Sequence, residues 1–153
     1  MRDLATDLAV EKHAEESHAN GPRSDVIIDG SPGTGCPVIA SVSGACYTVI
    51  VTEPTVSGLH DLLRVFDLTR HFRVPASVIV NKADLNEEMT KRIENASREA
   101  GAEFLGTVPY DNGFTQAQIQ RQTLLEYGKG SASDAVRSIW SKLSESIQSL
   151  PTT

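Results

Sequence analysis

Apolar positions along this chain fall into short solid runs separated by longer periodic stretches. The first run is DVIID at 25–29, which ends in an acid. YTVIVT at 47–52, ASVIV at 76–80 and the weaker EFLGTV at 103–108 follow it. None alternates apolar with polar, so each predicts a strand buried on both faces. Between the runs the period lengthens. Over 58–72, Leu59, Leu62, Leu63 and Phe66 recur at i, i+3, i+4 and i+7, which predicts a helix capped by Thr55 or Ser57. Residues 87–100 read as another helix, ended by Gly101. A final helix covers about 132–148, with Val136, Ile139, Trp140 and Leu143 on one face. A first helix is predicted at 2–19, with Leu4, Leu8 and Ala14 among its apolar positions, and Asn20-Gly21-Pro22 stops it. GKGSAS at 128–133 reads as a mobile link into the last helix.

Strand and helix alternate through most of the chain, which is the pattern of an α/β fold with a parallel sheet covered by helices. The expected order is a helix at 2–19, an α/β core at 25–127 and a C-terminal helix at 131–149. The 153 residues amount to one domain's length. A net charge of −6 argues against a nucleic-acid surface as the main function. No apolar run approaches the length of a membrane span, and the start has no apolar block of signal-peptide type. Cys36 and Cys46 match neither a C-x-x-C site nor a disulfide framework, so a reducing, cytoplasmic setting is expected. Cys46, Phe114 and Trp140 are expected in the core. The histidines form no ligand-spaced set.

The segment DVIIDGSPGTGCP, 25–37, has glycines at Gly30 and Gly35 with P-loop spacing. The next two residues are Cys36 and Pro37 rather than Lys and Ser/Thr. Cys36 supplies no positive charge for the β/γ-phosphates, and Pro37 has neither a hydroxyl for Mg²⁺ nor a backbone N–H. The loop is therefore not a P-loop, and none occurs elsewhere in the chain. Asp29 is predicted at the end of a buried parallel strand, where a carboxylate points into the ligand crevice and suits an oxygen-preferring cation. A strand-ending turn with an exposed Asp is the plainer alternative.

Four segments in order, IIDGSPGTGCPVIAS, VIVTEPTVSGLHDLLRV, VIVNKADLN and GTVPYD, resemble the MinD/Mrp class of ParA-like P-loop ATPases. The resemblance is to the C-terminal part of such an ATPase, without its P-loop half. Cys-Pro after Gly-Thr-Gly makes it most similar to the branch of that superfamily with an inserted ferredoxin domain. It implies an incomplete P-loop NTPase sandwich. It also implies that Asp29 sits near Mg²⁺ through a water and that Gly33 donates its N–H toward the γ-phosphate. Asn81 would contact the adenine of ATP, with Lys82 packing its stem on the ring and Pro109 contributing to the base pocket. Asp84 keeps GTP open as a minor option, because N-K-x-D reads guanine in GTPases. In the plainer reading, Asn81 caps a turn and Asp84 caps the helix starting near Glu87. The loop after the second strand, with Glu53 and Pro54, would lie near the nucleotide and a dimer interface.

The same resemblance implies cofactors Mg²⁺ and ATP in the complete protein, with any iron–sulfur cluster held outside these residues. Implied partners are a second copy of the chain or a chain supplying the P-loop half, and ferredoxin or other redox proteins. ATP hydrolysis by this chain alone is not expected, since the phosphate cradle carries phosphoryl transfer. Two other readings stay open: a non-catalytic partner of a P-loop-bearing chain, and a nucleotide-free structural α/β domain.

Overall fold

A computed structural model describes residues 26–128 and 130–150. The predicted helix at 2–19 therefore lies outside the described residues. The described elements run α1 (Cys36–Gly44), β1 (Thr48–Thr52), α2 (Val56–Phe72), β2 (Ala76–Asn81), a 3₁₀ turn (Ala83–Leu85), α3 (Glu87–Glu99), β3 (Glu103–Val108), α4 (Gly113–Ile119), α5 (Leu124–Tyr127) and α6 (Ser131–Gln148).

The strands form one parallel sheet in the order β1-β2-β3. Thr48 pairs with Ala76, and Asn81 pairs with Val108 across a register shift near Val78/Ile79. β2 has neighbours on both sides, and its Val78 and Val80 are fully buried. Alternate side chains of a strand face opposite sides of the sheet. On one side Val78 and Val80 pack against Leu62 and Phe66 of α2 and Met89 and Ile93 of α3. On the other side Ile79, Leu105 and Val108 pack against Ala132, Val136, Ile139 and Leu143 of α6. α1 joins through Val38 and Val42, which meet Val65 of α2. Helices thus cover both faces, as expected for an α/β fold.

The helix ends follow local chemistry. Thr55, one of the two caps expected, accepts the Gly58 N–H at 2.9 Å, and Arg73 closes α2 in the left-handed region. α3 is capped by Asn86, whose Oδ1 accepts the Met89 N–H at 3.0 Å. Asp84 is thereby excluded as that cap. α6 starts at Ser131, so GKGSAS is not a link throughout: Ser131–Ser133 form its first turn and Ser133 is buried.

Several expectations are corrected. Residues 26–29 of the first apolar run form no strand, and Val26 and Ile27 are 79% and 81% exposed. A strand of this type needs neighbours to pair its backbone, and no described strand pairs with it. β1 is not buried on both faces either. It is an edge strand, and Val51 is 63% exposed. Cys46 is exposed. Phe114 and Trp140 also reach solvent, with Trp140 57% exposed beside the buried Ile139.

Candidate functional site at the strand exits

A parallel sheet brings the C-terminal ends of its strands to one rim, where α/β proteins bind ligands. Here that rim carries Glu53 after β1, Asn81 and Lys82 at the end of β2, and Pro109, Tyr110 and Asp111 after β3. Three of the residues expected to bind nucleotide, Asn81, Lys82 and Pro109, therefore lie on adjacent strand exits.

Local hydrogen bonds fix this rim. Asn81 Oδ1 accepts the Lys82 N–H at 3.1 Å. Lys82 itself sits in the left-handed region at φ 54°, a conformation that is uncommon for a non-glycine residue. The turn bond from Asn81 supports it, so the plainer reading of Asn81 as a turn cap describes its oxygen. Its Nδ2 has no hydrogen-bond partner among the described residues and can donate to an acceptor. Lys82 Nζ lies 2.7 Å from Glu53 Oε1. The Glu53 carboxylate accepting from it raises the Lys82 pKa above the usual lysine value, so Lys82 stays charged. Both side chains keep contact with solvent, at 39% and 47% exposure, which limits the pair's worth to stability.

Glycine is required at the start of α2. A Cβ on Gly58 would run into the Glu53 carbonyl oxygen and crowd Thr52 Oγ1 and Thr55 Oγ1. Thus Gly58 lets the helix begin directly under the Glu53 loop.

The third exit is fixed from both sides. Asp84 Oδ1 accepts the Tyr110 N–H at 2.6 Å across 26 residues of sequence. Asp111 Oδ1 accepts the Gly113 N–H at 2.7 Å, and its Oδ2 accepts the Ala132 N–H of α6 at 3.2 Å. Those two backbone donors hold the Asp111 carboxyl below its ordinary pKa of 3.8. Asp111 therefore docks the first turn of α6 onto the rim.

Asp29 and Gly33 are not brought to this cluster. Asp29 is exposed, and no hydrogen bond or ion pair joins it to the rim among the described residues. Gly33 adopts φ 88°, open to glycine but strained for other residues, with open space around it. Thr34 shares a shallow hollow of about 360 Å³ with Arg64, Asp67 and Leu68. Asp67 and Leu68 lie in the second half of α2, which runs away from the rim. Cys36 and Cys46 are both free and exposed. No group of three His, Cys, Asp or Glu side chains able to hold a metal occurs among the described residues.

Glu53 was expected only in a loop near the nucleotide and Asp84 only as a guanine contact or a helix cap, and neither the Glu53–Lys82 pair nor the Asp84–Tyr110 bond was expected. An acid directly after a strand was the available signal for Glu53. Asp84 was hidden by Asn86, a second good cap two residues on. Nothing in the sequence marks the Tyr110 N–H.

No protein-family model matches the chain. An uncharacterised protein of Methanocaldococcus jannaschii is 26% identical over 133 residues, covering 86% of this chain and 44% of that protein. A second uncharacterised protein of the same organism is 25% identical over 101 residues, covering 66% of this chain and 33% of its own length. The chain thus spans less than half the length of these curated relatives. The structure superposes on the MinD cell division protein of Aquifex aeolicus with a TM-score of 0.62 and 25% identity, over 81% of this chain and 53% of that one. The fold is MinD-like.

The MinC:MinD cell division protein complex of the same organism gives a TM-score of 0.59 at 26% identity, over 79% of this chain and 51% of that one. The cell division ATPase MinD of Pyrococcus furiosus gives 0.63 at 13% identity, over 76% of this chain and 50% of that one, a likeness of fold alone. The matched residues correspond to about half of each of these MinD chains, and the shared fold is that of a MinD-like P-loop ATPase. Among the described residues no helix is long and apolar enough to cross a membrane.

Proposed function

We propose that the rim formed by Asn81, Lys82 and Pro109 is the base-recognition end of a MinD-like ATP site. The observation that carries this reading is that the three residues lie together at the exits of adjacent parallel strands, on a frame closed by the Glu53–Lys82 and Asp84–Tyr110 contacts. Asn81 Nδ2 offers a donor to an adenine ring nitrogen. The Lys82 stem can lie along the ring while its ammonium remains on Glu53. Pro109 gives the third side a rigid apolar wall.

Fit to the two ends of ATP differs. Asn81, Lys82 and Pro109 suit the base end, as above. The phosphate–magnesium end does not fit the residues present, because the chain contains no P-loop lysine or Mg²⁺-binding hydroxyl and Asp29 stands alone and exposed. No hydrolytic step is therefore assigned to this chain by itself. In our reading Asp29 and Gly33 take up the Mg²⁺ and γ-phosphate positions when a P-loop-bearing strand joins the sheet. That strand comes from polypeptide beyond these residues or from another chain. The branch with a ferredoxin domain, and iron–sulfur or redox partners with it, rest on Cys36-Pro37 following Gly33-Thr34-Gly35. A second reading, a non-catalytic partner that completes a separate P-loop chain, draws support from the edge of β1, which pairs with no further strand among the described residues.

Substitution at Asn81 tests the base site. Asn81→Ala is expected to weaken ATP by about 1 kcal/mol through the lost base contact, and CTP by much less. Equal losses for ATP, GTP and CTP in a binding titration would exclude base reading by Asn81. With a P-loop-bearing chain present, Asp29→Ala is expected to abolish hydrolysis while the melting curve stays put. Normal turnover in that variant would remove Asp29 from the metal end.

A further inference from the structure

Two contacts link the three strand exits in a row: Glu53 to Lys82 between β1 and β2, and Asp84 to Tyr110 between β2 and β3. The second uses the acid of the N-K-x-D pattern, the feature that kept guanine open. We propose that Asp84 is a positioning residue, which latches the β3 exit loop against the β2 exit loop and thereby leaves the site without the carboxylate that guanine needs. This rests on the base-site reading above.

Asp84 has no competing local role among the described residues. It does not cap α3, because Asn86 does. It is exposed and forms no ion pair among the described residues. Its carboxylate accepts the Tyr110 N–H at 2.6 Å, a charge-assisted contact and shorter than a neutral N–H···O bond. Both ends of that bond are held. The 3₁₀ turn carrying Asp84 is closed by the Leu85 N–H donating to the Lys82 carbonyl at 3.1 Å. It is tied to α3 by Thr90 Oγ1 donating to the Ala83 carbonyl at 2.9 Å. On the other loop Pro109 has no N–H, so Tyr110 supplies the first backbone donor after β3. Asp111 then anchors the same loop to α6.

Guanine presents N1–H and N2–H side by side, and a carboxylate reads both by accepting with its two oxygens. Asp84 Oδ1 accepts from Tyr110, which fixes the orientation of the carboxylate, so pairing both oxygens with a guanine requires it to turn. Turning it to a guanine would strand the Tyr110 N–H and release Pro109 from its place beside the base. Adenine has no N1–H, and the Asn81 amine suits its ring acceptors. The latch thus favours adenine by withholding the acceptor pair that guanine requires.

Aspartate-to-alanine and aspartate-to-asparagine variants separate the possibilities, because an asparagine oxygen still accepts from Tyr110, though without the charge assistance. Without nucleotide, Asp84→Ala is expected to speed Tyr110 amide hydrogen exchange roughly tenfold or more, with Asp84→Asn restoring protection. Unchanged Tyr110 exchange in Asp84→Ala would overturn the latch. Nucleotide selectivity is read by amide shifts on adding Mg-ATP, Mg-GTP or the xanthosine triphosphate complex. Asp84→Ala is expected to weaken the ATP response and Asp84→Asn to rescue it, with no new response to the xanthosine nucleotide. Loss of a GTP response together with gain of a xanthosine response in Asp84→Asn would mean that Asp84 reads the base. Silence to every nucleotide in the parent chain would end the base-site reading and the selectivity with it, while Tyr110 exchange still decides the latch.

Discussion

Lys82 shows how a single residue's backbone and side chain can serve one purpose. Its left-handed backbone turns the chain sharply out of β2, and Asn81 pays for that turn with its side-chain oxygen. The same turn carries the ammonium to Glu53 on the neighbouring exit. The strand-exit placement of Asn81 and Pro109 was legible because each directly follows an apolar run, while a base-binding role for them and Lys82 is implied only by the resemblance. The Asp84 contact was not legible, since its partner is a backbone N–H 26 residues away, and pairings of that kind leave no local pattern. Burial of single residues was also poorly legible. Trp140 adjoins the buried Ile139 at the margin of the α6 stripe, and a periodic pattern does not locate that margin. Gly58 yields a prediction at this scale. Gly58→Ala forces a methyl against the Glu53 carbonyl, so either the helix start or the Glu53 loop must shift. It is expected to lower stability by about 1–3 kcal/mol in urea unfolding. An unchanged midpoint would mean that the approach is slack.

Among elements, the three strands of the sheet and the helices α2, α3 and α6 all match runs or periods read from the sequence. The misses have identifiable causes. Residues 26–29 carry a strand's composition, but a strand exists only where a neighbour pairs it. α1 was passed over although Pro37 sits in its first turn, where proline is favoured, and Val38 and Val42 fall on one face. α5 is one turn long, and its signal was the capping box formed by Thr123 and Glu126. α6 depends on Asp111 for its docking, and this makes a prediction about pH. The Asp111 carboxyl is held below its ordinary 3.8 by the Gly113 and Ala132 N–H groups. Its contribution is therefore present above that value and fades as pH falls through the lowered folded-state value, because the unfolded chain takes up its proton first. Asp111→Asn is expected to flatten the loss of stability below about pH 4. The chain's single tryptophan, Trp140 on α6, reports it by fluorescence. Equal acid sensitivity in the variant would place the acid-labile group elsewhere.

At the scale of the whole molecule, the described residues form a three-stranded sheet with β1 and β3 at its edges and helices on both faces. α6 packs on β3, whereas at β1 no further strand pairs among the described residues and Val51 is exposed. Val51→Lys is accordingly expected to change the stability of this chain by less than about 0.5 kcal/mol. Assembly with a P-loop-bearing chain should be blocked by the same charge if β1 is where that strand pairs. A destabilised chain would show instead that the edge is already covered. The MinD-like likeness, spread over about half the length of those structures, was legible because four ordered segments are more specific than any one. What no segment disclosed was the separation of Asp29 and Gly33 from the rim, which depends on how the sheet closes.

The central claim is that the rim at the β2 and β3 exits receives a nucleotide base. Its most direct test is an amide-resolved titration of this chain with Mg-ATP. Base contacts without a phosphate cradle correspond to a Kd of roughly 1 mM, within reach of such a titration. Saturable shifts are expected at residues 81–85 and 108–111, with little change at the opposite end of the sheet around Val74–Ala76 and Ala100–Ala102. Saturable shifts confined to that opposite end, or none up to tens of millimolar, would contradict base binding at the rim.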